Sequence, residues 1–354
     1  MIIDVHKHSD WHKHNQNELS INTDKYGIGK TWLTNPVIKR YPGNPILSAD
    51  DVPYRSDLVF NAGVTKYQGK YVMVFRNDYA DSASKIVQGC NLGLAFSNDG
   101  INWKIEKQPL FLDSGSYPLG MAYDPRLTVL DGRCYMCFAT GMNHGISGGI
   151  AVTDDFKKWE ILNISVPDNR NWVLFPERVN GKMIRLERPF AMYQRPGDHF
   201  DIWISASPDG RYWGDTELLL KTESVPWANE KIGPATPPIR TPKGWLAFFH
   251  GVDVDASRQG WGWSGTWKKR YSAGLMLLDQ DNPYKVIGLS RGPVLIPEED
   301  YRYEAEGYRD YVIFPGGMIL EEDNSVKIYY GAADTVEALA IADLNDLLAL
   351  CEPV

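Results

Sequence analysis

Five apolar segments of similar make-up recur along this chain, and four of the five close on a residue that an apolar strand ordinarily excludes. They are YVMVFR closing on Arg76, CYMCFAT on Thr140, KMIRLER on Arg188, GWLAFFH on His250 and KIYYGAAD on Asp334. If these are equivalent strands, their ends converge. Leaving charged groups buried and unpaired costs on the order of several kcal/mol each, so charges gathered from distant parts of a chain point to a site.

Each segment follows a partner reached through a turn: FNAGVTKYQGK, YDPRLTVLDGR, LFPERVNGK, GPATPPIRTPKG and YVIFPGGMILEEDNS. Each is followed by a further apolar stretch: LGLAFSNDGINW, GGIAVTDDFKKW, DIWISASPDGRYW, SAGLMLLDQDNPYKV and, in decayed form, ALAIADLNDLL. Five units, each a hairpin plus another strand pair, predict an all-β, five-bladed β-propeller. We assign it to residues 45–354, with 1–44 as a polar, proline-rich arm that packs on the propeller or on a neighbouring subunit. ADLNDLLALC is the one segment with helical periodicity and predicts a short C-terminal helix. The SNDG and SPDG turns are read as ordinary hairpin turns without a functional role. In a propeller the innermost strands line a central channel, so the turn into each unit and the end of the next strand face one axial mouth. That places Asn61 of FNAGV and Asp124 of YDPRL in matching positions.

Composition excludes several classes. A net charge of -8 without a long basic run argues against a nucleic-acid surface. No apolar run is long enough for a signal peptide or a bilayer span, so the expectation is a soluble cytoplasmic protein with no membrane partner. Cys90, Cys134, Cys137 and Cys351 are too scattered for a disulfide scaffold and are read as reduced thiols. Cys134 and Cys137 have a zinc-knuckle gap, but on a strand they face opposite ways and no second pair follows, so no metal is expected there. His6, His8, His12 and His14 are read as part of a mobile or subunit-docking arm rather than a metal tract. The 12 tryptophans and 19 tyrosines suit sugar binding, but such rings also fill β-protein cores.

Pro125 biases Asp124 toward an extended conformation, and a carboxyl group there can act as a general acid if its surroundings raise its pKa. The plainer alternative is an Asx-turn that starts a strand. Arg170, Arg188, Lys231, His250 and Tyr271 come from several units with few matching acids, a set suited to an anion with several oxygens. The alternative is surface pairing of the arginines with Glu177, Glu187 or Asp168. Between His250 and Tyr271 the long VDVDASRQGWGWSGTWKKR segment holds Trp261, Trp263 and Trp267. It is either a lid or acceptor platform, or a stretch buried against outer strands or another subunit.

The ordered series FNAGV, VFR, YDPRL, NRN, FPERVNGK, RLERP, EKIGPATPPI, FFHG, RYSAGLMLLD and YYGAAD resembles glycoside hydrolase family 130, the inverting β-mannoside phosphorylases on five-bladed propellers. The resemblance covers nearly everything after about Asn44. It implies that Asp124 is the general acid, acting through the mannosyl 3-hydroxyl. It implies a phosphate-binding set of Arg170, Arg188, Lys231, His250 and Tyr271. Asn61, Arg76 and Asp334 would hold the mannosyl unit, and Tyr123 would touch the acceptor sugar.

The implied reaction is phosphorolysis of a β-1,4-linked mannosyl oligosaccharide to α-mannose 1-phosphate. Its only co-substrate is inorganic phosphate; no cofactor and no metal are expected, and a homo-oligomer is. Family members that hydrolyse β-1,2-mannosides lack the paired arginines, so phosphorolysis is expected over hydrolysis or a non-catalytic sugar-binding role. The acceptor stays open among glucose, mannose, longer mannan and N-acetylglucosamine.

Overall fold

Along YVMVFR, Val72 and Val74 pack on one side and Met73 and Phe75 on the other, and all four are buried. A strand buried on both faces must lie between two neighbours, and period-two alternation then supplies two separate cores. The computed structural model describes residues 32–81, 84–113, 115, 119–142, 145–190, 199–260 and 262–354, and it repeats this arrangement around a ring.

The first residues described in the ring form β1 (Lys39–Arg40), which belongs to the last blade. Blade 1 is β2 (Leu58–Tyr67), β3 (Lys70–Asp81), β4 (Ile86–Ser97) and β5 (Lys104–Ile105). Blade 2 is β6 (Ala122–Leu130), β7 (Arg133–Met142), β8 (Gly145–Thr153) and β9 (Glu160–Ile164). Blade 3 is β10 (Asn169–Leu174), β11 (Met183–Pro189), β12 (Ile202–Ser207) and β13 (Gly214–Leu220). Blade 4 is built on β14 (Lys231–Pro234), β15 (Ile239–Thr241), β16 (Gly244–Val254), β17 (Lys269–Leu278) and β18 (Val286–Leu289). Blade 5 is β19 (Ile313–Leu320), β20 (Ser325–Ala332) and β21 (Val336–Asp343), with β1 as its outer strand through Lys39 opposite Ile341. A last short strand, β22 (Glu352–Pro353), pairs with β18, so the two ends of the described chain close adjacent blades. The described part of the 1–44 segment is thus integral to blade 5, with Ile38 in the core between blades 4 and 5. The four histidines assigned to the arm lie outside the described residues.

Five apolar clusters fill the five gaps between blades. Cys134 packs toward blade 1 and Cys137 toward blade 3, as their opposite strand faces require, and all four cysteines are free. Cross-strand pairs repeat too. Phe75 lies opposite Gly93, Phe138 opposite Gly149 and Phe249 opposite Gly274, and in each case a Cβ on the glycine would lie within 3 Å of the ring. The hairpins Gln68-Gly69, Asp131-Gly132 and Asn180-Gly181 have positive φ at both residues, the requirement of a primed two-residue turn.

The aspartate turns are one motif used three times. Ser97, Thr153 and Ser207 each accept two main-chain N–H groups through the side-chain oxygen, and Asp99, Asp155 and Asp209 each accept two more from the residues that follow. Leu344–Ala349 forms the expected C-terminal helix, capped by the Asp343 side chain. Among the described residues no helix is long and apolar enough to cross a membrane.

One expectation needs correcting. Arg76, Thr140, Arg188 and His250 are not strand ends, because pairing continues past each of them toward the rim of the channel. They lie opposite the innermost strands instead: Arg76 opposite Phe60, Thr140 opposite Ala122, Arg188 opposite Arg170 and His250 opposite Gly233. Only Asp334 lies beyond its strand.

Candidate active site

The innermost strands of blades 1, 2 and 3 each break register at the same level, at Phe60/Gly63, Tyr123/Arg126 and Arg170/Val173. The bulged residues include Asn61, Asp124 and Asn171, with φ of 53°, 50° and 57°. Asn and Asp tolerate this left-handed conformation better than other residues with side chains, and a bulge re-aims its side chain away from the ladder. Here the three side chains line one cavity on the propeller axis, about 230 Å³ in volume. The extended conformation expected for Asp124 ahead of Pro125 is therefore not adopted; the bulge overrides the local bias.

Every residue proposed from the sequence lines this cavity except Lys231. On one side stand Asn61, Arg76, Tyr123, Asp124 and Asp334. Asn61 Nδ2 donates to Asp124 Oδ1 at 3.0 Å, and Arg76 Nη1 approaches the same oxygen at 3.3 Å. Arg76 is held by a fork on the buried Asp78, at 2.7 and 2.6 Å, and lies over the rings of Phe60 and Tyr123.

Burial by itself would raise the Asp124 carboxyl. The guanidiniums of Arg76, Arg126 and Arg170 and the Asn61 hydrogen bond outweigh burial and hold it below the usual carboxylate range. This is opposite to the rise expected of a general acid, and the cause is the cation surplus around it. Asp334 goes the other way: burial, with the nearby charges of Asp124 and Asp78, pushes it up against the pull of Arg309 and Arg76. Two carboxyls in one cavity are thus driven apart.

The other side is cationic. Arg170 and Arg188 are cross-strand partners on β10 and β11, and neither takes the carboxylates offered as alternatives. Glu187 instead bonds Arg185 and Asn169, and Glu177 bonds Arg240. Arg170 Nη1 donates to the Tyr123 hydroxyl at 3.4 Å. Arg188 Nη1 lies 2.9 Å from His250 Nε2. A guanidinium only donates, so Nε2 accepts and His250 is the neutral tautomer protonated at Nδ1. Burial, reinforced by Arg188 and Lys231, holds this imidazole well below its ordinary pKa.

Burial and Arg170 push Arg188 down to about 9, still charged at neutral pH. Burial, with Arg188 and Arg170, pushes Lys231 down to about 8 against the opposing pull of Glu230, whose carboxylate lies 3.5 Å away. The Nε atoms of Arg170 and Arg188 and the Nδ1 of His250 are buried with no protein partner. Cations depressed by one another, with donors that no protein group uses, suit an anion.

Arg170 and Lys231, which stood outside the repeat in the sequence, lie within it: both are on innermost strands, β10 and β14. Lys231 sits 5.5 Å from the Tyr271 ring centroid, behind the cavity wall. Tyr271 is the middle of a stack, 6.0 Å from His250 and 5.9 Å from Trp267. Trp267 is fixed by a bond from its Nε1 to the Asp310 carbonyl at 3.1 Å, and Trp263 packs edge-on against Tyr308. The tryptophan-rich loop therefore packs on the 308–310 loop; Trp261 lies outside the described residues.

Sequence reasoning missed Asn171, Arg309, Val312 and Phe314 on the cavity wall. Asn171 carried a signal, since NRNW places it where FNAG and YDPR place Asn61 and Asp124. Arg309, 3.4 Å from Asp334, comes from the connection between β18 and β19, just after the short helix Arg302–Ala305, and not from a propeller strand. Among the described residues no cluster of three potential metal-ligating side chains occurs.

A glycoside hydrolase family 130 model, described as beta-1,4-mannooligosaccharide phosphorylase, matches residues 32–353. A beta-1,4-mannooligosaccharide phosphorylase of Ruminococcus albus is 33% identical over 88% of this chain and 90% of its own. A 1,2-beta-oligomannan phosphorylase of Thermoanaerobacter sp. is 30% identical over 88% of this chain and 98% of its own. The solved structure of the beta-1,2-mannobiose phosphorylase of Listeria innocua, in complex with beta-1,2-mannobiose, superposes with a TM-score of 0.73 at 25% identity, covering 88% of this chain and 98% of that one.

Proposed function

Because the chain belongs to glycoside hydrolase family 130, a family of mannoside phosphorylases, we propose that it cleaves β-1,4-linked mannosyl oligosaccharides with inorganic phosphate, giving α-mannose 1-phosphate and a shortened sugar. The observation that carries this reading is the facing pair Arg170 and Arg188, with buried, unused guanidinium donors and no carboxylate between them. An inverting hydrolase needs a second carboxylate placed to activate water, and the second carboxyl of this cavity, Asp334, is paired with Arg309 rather than set between these arginines. A phosphorylase needs only cations that position a nucleophile already charged.

In this reading phosphate sits on Arg170 and Arg188, with Lys231, His250 and Tyr271 behind or beside it. Asn61, Arg76 and Asp334 hold the mannosyl ring, and Tyr123 meets the acceptor. A phosphate oxygen bonds to C1 as the C1–O bond to the acceptor breaks. The departing oxygen takes the proton of the mannosyl 3-hydroxyl, and that oxygen takes one from Asp124. Asp124 is held anionic in the free protein, so its proton arrives with the substrates. The charge of bound phosphate cancels part of the field of Arg170 and Arg188 and lets the carboxyl take up a proton. One proton is thus shared between Asp124 and phosphate, and it leaves on the acceptor hydroxyl.

The test is incubation with β-1,4-mannobiose, with and without phosphate, scored for mannose 1-phosphate. Equal release of free mannose in both arms overturns phosphorolysis. The β-1,4 linkage rests on the family model's description and on the Ruminococcus albus relative. The β-1,2-active relatives favour a second reading with the same phosphate chemistry, and running β-1,2-mannobiose in parallel decides between the linkages.

A further inference from the structure

Arg126 is an arginine on the propeller axis with no ion-pair partner among the described residues. It is buried, with 3% of its surface exposed, and its guanidinium donates to main-chain carbonyls of four blades. Nη1 reaches Asn61 O of blade 1 at 3.4 Å and its own neighbour Pro125 O of blade 2 at 2.7 Å. Nη2 reaches Pro315 O at the inner strand of blade 5, at 3.2 Å, and Nε bonds Ala235 O beside the inner strand of blade 4. The group lies 5.0 Å from the centroid of Phe314, whose ring lines the cavity. The blades close tightly around this point. A Cβ on Gly63 would come within 2.8 Å of the Arg126 backbone, and one on Gly316 within 1.9 Å of Ala62 O.

A cation buried without a carboxylate in contact is costly, and the carbonyl dipoles, with the longer-range charges of Asp124 and Glu337, offset only part of that cost. Two of the carbonyls it holds, Asn61 and Pro125, belong to the bulges that aim Asn61 and Asp124 into the cavity. We propose that Arg126 is a positioning residue for the reaction: it locks the Asn61 and Asp124 bulges together from below and supplies the positive charge beneath the Asp124 carboxylate. The link to the reaction rests on the reading of Asp124 given above; the link to Asp124 itself does not.

Other charges face Asp124 and set the background. Arg76 on β3, Arg170 on β10 and Arg188 on β11 are cations around it, Asp334 beyond β20 is the second carboxyl, and Tyr123 and Cys90 are neutral neighbours. Arg126 differs from these three cations in that its side chain donates to the bulge carbonyls of Asn61 and Pro125.

The experiment is carbon-13 NMR of the full chain, labelled at aspartate side-chain carboxyls, with the Asp124 signal identified by its loss in Asp124→Asn. In Arg126→Met the Asp124 titration is expected to move up by about one pH unit, and Asp334, which has no direct Arg126 contact, by less. General loosening of the fold would instead return both toward the ordinary carboxylate range, Asp124 upward and Asp334 downward. Arg126→Lys keeps the charge without the fan of donors: titration near the wild-type value with kcat lowered about 100-fold is expected. If the Met variant does not fold, the Lys variant alone decides. Unchanged titration in the Met variant, or wild-type kcat in the Lys variant, overturns the proposal. If wild-type protein fails to phosphorolyse any mannobiose while the Met variant still shifts Asp124, the proposed function fails and the placement of Arg126 stands.

Discussion

Arg170, half-buried, and Arg188, buried, face each other directly across β10 and β11, a like-charge cross-strand pair with no carboxylate between them. Such a pair destabilises the sheet that carries it unless an anion bridges it. Arg188→Met should therefore leave the ligand-free melting temperature unchanged or higher, yet abolish stabilisation by phosphate. For the wild type, phosphate at a hundred times its dissociation constant should add about 2.7 kcal/mol. Thermal melts with and without phosphate check both statements. A variant that keeps the phosphate shift would remove Arg188 from the site.

The depressed cations set a pH dependence. Lys231 lies at about 8 in the free protein, and a bound anion should return it toward its ordinary, higher value. Between those two values binding takes up a proton, so affinity for phosphate should fall as pH rises above about 8. Below that pH the amine is already charged and contributes no slope. Calorimetric titration in buffers of different ionisation enthalpy reads the proton uptake directly, and Lys231→Met should lose the part that begins near pH 8, leaving only the part that Arg188 contributes nearer pH 9.

Asp124→Asn retains the partners at Asn61 and Arg76 while removing the transferable proton. Arg76 keeps its fork on Asp78, so the fold should hold. Turnover should fall by about 100-fold or more, the usual scale of a lost general acid. Unchanged activity by mannose 1-phosphate assay would take the acid role from this residue.

The ring of blades was legible in the sequence because each blade repeats local chemistry: primed turns, alternating apolar residues, and a glycine beneath a phenylalanine. The location of the site was legible for a related reason, since the same strand positions recur from blade to blade. What escaped was whatever the repeat does not encode. Arg309 comes from the connection between β18 and β19 and not from a propeller strand, and the left-handed conformation of Asp124 depends on a bulge that the following proline gave no reason to expect. The direction of its pKa escaped as well, because it is set by Arg76, Arg126 and Arg170, which converge only once the ring closes.

Glu337 predicts a pH effect on stability separate from the chemistry. It is fully buried in blade 5, accepts the Ala62 N–H at 3.1 Å, and is pushed up to about 8 by burial. A carboxyl whose folded pKa is raised favours the folded state fully below its unfolded value, and that contribution is lost as pH rises through the folded value. Stability should decline between about pH 4.5 and 8 on account of this group, by on the order of a few kcal/mol. Glu337→Gln should flatten that slope, and urea melts across the pH range measure it.

Trp267 makes the last prediction, on the role of the tryptophan-rich loop. Its ring stacks on Tyr271, which stacks on His250, which accepts from Arg188, so the loop supports the cationic side of the cavity from behind. Arg309, on the opposite side beside Asp334, also lies over Trp267, 4.7 Å from its centroid. Trp267→Ala removes the backing of Tyr271 but no group that lines the cavity. A displaced tyrosine weakens an anion contact more than it weakens ring binding, so KM for phosphate should rise several-fold while KM for the mannoside changes less. Kinetics with each substrate varied in turn separate the two, and a variant that alters only the mannoside KM would assign the loop to the acceptor instead.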